Sequence, residues 1–378
     1  MPKVIVLATV ATKSDEAEFL VARLADNGVK AQIVDISLNS QGKTLGGADK
    51  CYAMERAANE ALSQVHAACA NNAEVVVAIG GGTGGEIALQ VLRAMPITFP
   101  KIMVTTLPFD PRVAVADNCI VLVPTLADVA GLNTMLREVL GNAALMIAGL
   151  CRKSRKGELK DVVPSVGITG LGATDGAIKH LLKAFAEQDR EATVFHANGY
   201  GGAAFARFAQ QNAFDAIIDL TPHELTRIHL AGVHAHMPTR FSAGGDLPRV
   251  VLPGGLNFIG LGQKSLVQEH YLERPHYEHS GLFTHVKVTA DEMVQVSTQL
   301  AIHLNALAGP CAVIVPMGGF SHQDCAGGPI EDANLRAVCL ETLTSNLRDT
   351  ITVTPIDAHI SDPEITPEIM TKLAALSA

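Results

Sequence analysis

The sequence predicts an α/β protein made of two three-layer domains, each a mainly parallel sheet with helices on both faces. Three observations carry this prediction. Short β-branched runs alternate with helical patterns along almost the whole chain. The strand runs are continuously apolar rather than alternating, which suits strands covered on both faces. The alternation also breaks once, at a basic segment near the middle, and then restarts.

In chain order, residues 4–9 read as a strand and 15–26 as a helix. A strand at 31–35, a helix over 52–70 and a strand at 75–79 follow. After a glycine cluster come a helix at 86–93, strands at 102–105 and 120–123, and a long helix over 132–150. The segment CRKSRKGELKD carries five basic residues between Arg152 and Lys160. It reads as a solvated linker, with an anion-binding patch as the alternative. Beyond it the pattern resumes: strand 166–169, helix 176–187, strand 193–196, helix 203–211 and strand 216–220. Further strands are expected at 249–252, 285–288, 312–315 and 350–354. The division is therefore residues 1–150, a linker at 151–163, and residues 164–378, with a cleft expected between the two domains.

Composition narrows the function classes. The 378 residues are 48% hydrophobic and 18% charged, which describes a globular chain, and no run of 18 uncharged apolar residues suggests a membrane span. The opening MPKVIVLATV is followed at once by Lys13, Asp15 and Glu16, so it reads as a first strand rather than a signal peptide. A net charge of −9, 4% aromatics and no tryptophan argue against a nucleic-acid surface. Seven cysteines at irregular spacing, without a CxxC pair, point to a reducing cytoplasm and to mostly buried thiols.

Glycine- or hydroxyl-rich loops follow four of the expected strands, where α/β sheets bind ligands. TVATKSD places Thr9, Thr12 and Lys13 at a helix start, a setting for an anion or for an ordinary capping turn. GGGTGG runs from Gly80 to Gly85. It fits G-x-G-x-x-G through Gly80, Gly82 and Gly85, but it follows the third strand rather than the first, and the nearest acid, Asp110, lies in a proline-flanked loop. No Lys-Ser/Thr follows it, so it is not a Walker A loop. In the second half, ITGLGATDGA holds Gly170, and FHANGYGGAAF holds Gly199, Gly201 and Gly202 directly after His196. Together the loops favour a phosphate-bearing ligand.

Ten of the fourteen histidines fall between His196 and His303. His223-Glu224 with His229 has the wrong spacing for a zinc-hydrolase helix, while His234-x-His236 and His276-x-x-His279 have better metal geometry. The alternative is hydrogen-bonding histidines at a surface, and no metal site is assigned. His196 stands apart because it ends a strand and opens a glycine loop. PMGGFSHQDCAGGPIED follows an apolar strand and offers Gly318, Gly319, Ser321, His322 and Asp324. Their adjacency argues against a Ser-His-Asp triad and leaves Asp324 as a ribose, Mg²⁺ or substrate ligand, or as part of a self-satisfied loop.

Taken together, VFHANGYGG, GITGLGATDGA, PMGGFSHQD-x-x-GGPIED and IDAHISDPE resemble the uncharacterised family that includes the ATP-binding domain of the tomato mosaic virus resistance protein. The resemblance spans essentially the whole chain. It implies two Rossmann-like domains, ATP held between them and self-association as dimers or larger assemblies. By position it points to Thr12 and Lys13, to Gly81, Gly82, Thr83, Gly84 and Gly85, to Gly199, Gly201 and Gly202, and to Asp324. Ala11 and Asn257 stand where relatives tend to carry acids. The expectation is a cytoplasmic nucleotide-binding homo-oligomer acting as an enzyme on a small anionic metabolite. It takes ATP with Mg²⁺, with His196 and Asp324 as catalytic candidates and without nucleic-acid or membrane partners. Alternatives are a non-catalytic nucleotide-sensing module and an NAD-dependent oxidoreductase.

Overall fold

The computed structural model describes residues 3–38, 45–152 and 165–378. The basic linker expected at 151–163 lies outside the described residues from residue 153 onward. The chain forms two compact units, Met1–Glu158 and Leu159–Ala378.

The first unit opens with β1 (Val4–Ala8), α1 (Val10–Asp26), β2 (Ala31–Asp35) and α2 (Gly47–Ala70). It continues with β3 (Val75–Ile79), α3 (Gly82–Ala94), β4 (Lys101–Thr105), the short α4 (Pro111–Ala114), β5 (Ile120–Pro124) and α5 (Thr134–Arg152). All strand pairs are parallel, in the order β2-β1-β3-β4-β5. Alternate residues of each strand feed opposite layers. Val4, Val6, Val75 and Val77 pack with Leu20 and Leu24 of α1 and Leu140 and Ile147 of α5. Ile5, Leu7, Val76 and Ala78 pack with Met54 and Val65 of α2 and Ile87 and Val91 of α3. Both faces are thus apolar, and this is why the strands read as unbroken hydrophobic runs. By length and composition α5 could cross a membrane. Here Leu136, Leu140, Ala143, Ala144 and Ile147 make it a core helix.

The second unit begins with β6 (Ser165–Gly170), α6 (Asp175–Glu187), β7 (Ala192–His196), α7 (Gly201–Gln210), β8 (Phe214–Asp219) and α8 (Glu224–His229). Then come β9 (Arg249–Val251), β10 (Phe258–Leu261), α9 (Glu269–Leu272), β11 (His276–Ser280) and β12 (Phe283–Lys287). The last elements are α10 (Ala290–Asn305), β13 (Cys311–Pro316), α11 (Ala333–Asn346), β14 (Thr352–Ile356) and α12 (Ile365–Leu376). Six parallel strands run in the order β14-β13-β9-β8-β6-β7. One face packs on Leu181 and Phe185 of α6 and Ile369 of α12, and the other on Val296 and Leu300 of α10 and Leu343 of α11.

Two expectations need correction. The strand expected at 285–288 is not part of the parallel sheet. It is β12, the middle of a separate antiparallel sheet ordered β10-β12-β11. The expected preponderance of buried cysteines also fails. Cys151, Cys311 and Cys339 are buried, Cys51 and Cys119 are exposed, and all seven are free.

Candidate functional site

In the first unit the strand order reverses between β1 and β3: the chain adds β2 on one side of β1 and then crosses to the other. Open α/β sheets bind ligands at such a point, beyond the strand carboxyl ends. The loops after β1 and β3 meet there. A Cβ added to Gly84 would lie 3.0 Å from Thr9 Cγ2, and one on Gly81 would lie 2.9 Å from Thr106 Oγ1, so two threonines press against the glycine turn. Gly81 is the N-cap residue of α3 and no side chain caps the helix. The first intrahelical bond runs from the Gly85 amide to the Gly81 carbonyl at 2.7 Å. The amides of Gly82, Thr83 and Gly84 therefore have no partner within the helix. Gly82 is exposed, and a Cβ there would meet nothing within 4 Å.

The helix start after β1 is built differently. The Val10 amide donates to Asp35 Oδ1 and the Ala11 amide to Ser37 Oγ, both at 3.0 Å. Thr12 and Lys13 amides both donate to the Thr9 carbonyl, at 3.0 and 2.8 Å. An internal carboxylate thus already fills the anion position of α1. Burial works against the Asp35 charge, but hydrogen bonds from the Ser37 hydroxyl and amide and the Val10 amide hold its pKa below the usual carboxylate value. The Lys13 ammonium donates to the Val129 carbonyl, and Thr9 and Thr12 hydroxyls lie 3.1 Å apart. Of the first-unit residues singled out by sequence, Thr9, Gly81, Gly82, Thr83 and Gly84 surround one uncapped helix end, while Lys13 turns away. Gly85 is packed against Met103, whose Cε lies 3.1 Å from its Cβ position.

The second-unit glycines have another explanation. A Cβ on Gly170 would run into Ile178, on Gly201 into the His196 carbonyl, and on Gly319 into the Asp324 carbonyl. One on Gly318 would lie 2.6 Å from the Ala358 carbonyl carbon, and one on Gly202 2.7 Å from both Arg240 Cδ and Glu224 Oε1. One on Gly199, where φ is +94°, would lie 2.7 Å from the Val233 carbonyl oxygen. These positions are glycine because the chain itself occupies the space. Ser321 is buried and its hydroxyl accepts from Asn257 Nδ2 at 3.0 Å. Asp324 is buried too, accepting from the Phe320 amide at 2.9 Å, the Asp332 amide at 3.1 Å and Arg336 Nη1 at 2.6 Å. Burial raises its pKa, against these donors. It ties its own loop together. His196 remains exposed at the end of β7; burial on its packed side and the Arg227 charge lower its pKa.

Beneath this end of the sheet lies a buried ion cluster. Arg240 makes a bidentate pair with Asp219 at 2.8 and 2.9 Å, and its Nε donates to Glu224 Oε2 at 3.3 Å. Its guanidinium lies 4.9 Å from the Phe205 ring centre and 4.5 Å from that of Phe241. Thr169 donates to Asp219 Oδ1 at 2.6 Å, linking the ends of β6 and β8. Asp219, Glu224 and Arg240 are all fully buried or nearly so. Sequence reasoning misses this cluster, as well as Asp35, Ser37 and Thr106, because each partner comes from a distant segment. Among the described residues no group of three His, Cys, Asp or Glu side chains could hold a metal ion.

Comparison with known proteins matches the chain over both units. The profile of the Uncharacterised protein family (UPF0261) N-terminal domain matches residues 43–156, and that of the C-terminal domain matches residues 163–377. A UPF0261 protein of Mesorhizobium japonicum is 32% identical, with 96% of each chain covered. One of Clostridium tetani is 27% identical over 98% of each. The ToMV resistance protein Tm-1(GCR237) of Solanum lycopersicum is 26% identical over 80% of this chain and 41% of its own length.

Proposed function

The chain belongs to the uncharacterised protein family UPF0261, and within it we propose a nucleotide-binding protein whose first unit takes the phosphates of ATP at the start of α3. The supporting observation is the uncapped first turn at the β1/β3 reversal, with Thr9 and Thr106 against its glycines and open space at Gly82. Free amides and the positive end of a helix favour an anion, and the absent side chains allow it to approach the backbone. Lys13, held by Val129, is not needed for this. Mg²⁺ would arrive with the phosphates, keeping most of its water ligands. His196 is the acid/base candidate of an enzyme reading, and Asp324 receives no catalytic role. Seven free cysteines support a reducing, cytoplasmic setting. Exposed Leu145 and Met146 on α5 support self-association.

Thermal-shift titration and calorimetry with ATP, ADP, NAD⁺ and phosphate, with and without Mg²⁺, test the proposal. ATP is expected to raise the melting temperature saturably. Gly82→Val should keep the fold, because its Cβ meets nothing, yet weaken ATP about tenfold or more by covering the first-turn amides. Unchanged ATP affinity in Gly82→Val, or no stabilisation by any adenine nucleotide, would sink the reading. If ATP binds, phosphate release on adding small carboxylic acids separates an enzyme from a nucleotide sensor.

A further inference from the structure

Among the described residues, the second unit holds a cation with no carboxylate hydrogen-bonded or ion-paired to it. Arg227 lies on α8, just beyond the carboxyl end of β8. Its side chain runs through a slot that three glycines from separate segments keep open. A Cβ on Gly199 would lie 2.8 Å from Arg227 Cδ, one on Gly232 3.2 Å from Cγ, and one on Gly260 2.6 Å from Nη2. Gly199 and Gly232 have φ of +94° and +124°, conformations that other residues rarely adopt. The residue is partly exposed. Its hydrogen bond among the described residues runs from Nη1 to the Val233 carbonyl at 3.1 Å, and its Nε is buried without a partner. Glu224, the acid on the same helix, gives Oε2 to Arg240 instead.

Histidines on three elements lie near enough to this guanidinium to feel its charge. Burial first, and then that charge, lowers the pKa of His196 at the end of β7 and of His223 just before α8, while His285 on β12 is lowered by burial, then His279, then Arg227. His223 Nδ1 bonds the Gly255 carbonyl at 2.8 Å, so its neutral ring donates there and turns the Nε2 lone pair toward Gly260. Phe258 lies between His223 and His285, with ring centres 4.5 and 4.3 Å away, and Tyr277 Oη sits 2.7 Å from His285 Nδ1. Rings and glycines therefore hold a single arginine in place, with no ion pair to it among the described residues.

We propose that Arg227 anchors a second ligand site, confined to the C-terminal unit, that takes a small carboxylate on its guanidinium. The donors point to an oxyanion: with Nη1 on the Val233 carbonyl, Nη2 carries no hydrogen bond among the described residues, and a guanidinium N–H suits a carboxylate oxygen. Charge selects the carboxylate over phosphate. With the three rings neutral, the cluster offers about one positive charge, which a monoanion balances and a phosphate dianion exceeds. This site goes beyond the nucleotide reading and does not depend on it.

Calorimetry on the full chain at pH 7.5 in a carboxylate-free buffer, with pyruvate, acetate and inorganic phosphate as probes, tests the site. Saturable binding of pyruvate or acetate is expected. Arg227→Met should weaken it about tenfold or more, and Arg227→Lys should recover part of it. Gly260→Ala, which keeps the arginine but pushes against Nη2, should weaken it too. That variant carries the test if Arg227→Met fails to fold. The response to ATP should be the same in every Arg227 variant, while Gly82→Val should leave carboxylate binding intact, so the two sites fail separately. Binding of phosphate alone, binding of none of the probes, or equal carboxylate affinity in wild type and Gly260→Ala would overturn the proposal.

Discussion

Arg240→Met is expected to destabilise the second unit by about 3–5 kcal/mol, the usual cost of removing one partner from a buried ion pair. The physical reason is the charge left behind. Asp219 is 1% exposed, and its carboxylate receives both Nη groups of Arg240. Burial opposes its ionisation and the Arg240 charge overcomes this, holding its pKa below the ordinary value. Glu224 differs: burial raises its pKa, and Arg240 only partly offsets this. Methionine would replace the methylene stem between Phe205 and Phe241 but leave the Asp219 charge without its hydrogen-bonded partner, with only the Arg249 charge still acting on it. Hydrogen exchange followed by mass spectrometry suits the two-unit chain, in which a single unfolding midpoint is ill defined. Protection should fall across β6, β8 and β9 and stay unchanged in β1, β3 and β4. The double variant Asp219→Leu/Arg240→Met should recover part of the loss, because the Asp219–Arg240 pair is removed whole while Glu224 and Arg249 stay buried. Wild-type protection in Arg240→Met would show that the cluster contributes little.

The distribution of these features along the chain explains what could be read from sequence. The parallel strands were legible because both faces are buried: Val75–Ile79 shows no exposed residue. The small antiparallel sheet was not, because HYEHS in β11 has no apolar period to announce a strand. For a related reason the sequence pattern shows α3 only from residue 86, several residues after its start at Gly82. Glycines 82, 84 and 85 form its first turn, and residues without side chains carry no helical pattern. The glycine turn itself stands out in the sequence, and its meeting with Thr9 follows once β3 is set beside β1. The filling of α1 by Asp35 was beyond reach, since it needs the register that puts Asp35 opposite Ala8. The second-unit glycines resemble cradles, although the chain's own atoms fill the space at their Cβ positions. A short strand-to-helix turn needs absent side chains whether ligand or protein fills the gap, and only coordinates tell which. Arg227 gave no signal at all, because its slot is assembled from Gly199, Gly232 and Gly260.

Acidification should weaken the second unit well before its carboxylates titrate. Burial, then the charges of His279 and Arg227, push the His285 pKa from 6.5 down to about 3. His223 shifts in the same direction, through burial and then Arg227. Between the folded and unfolded values the unfolded chain binds a proton that the folded ring refuses. Stability is therefore intact above about pH 6.5 and drains as pH falls toward about 3. From pH 7.5 to 5, His285 alone should cost about 2 kcal/mol. Glu224 and Asp324, with raised pKa values, act in the opposite sense once pH exceeds the ordinary carboxylate range, so the wild-type slope mixes signs. Substitution isolates the histidine. In His285→Gln the amide can still bond Tyr277, while the ring that would charge in the unfolded chain is gone. The decisive measurement is the pH 7.5-to-5 change in exchange protection of β10 and β12, compared between wild type and His285→Gln. The variant should lose about 2 kcal/mol less than wild type over that range. Equal losses in both would mean that the stacked ring between Phe258 and His279 accepts its proton as readily folded as unfolded, against its burial in a column of rings.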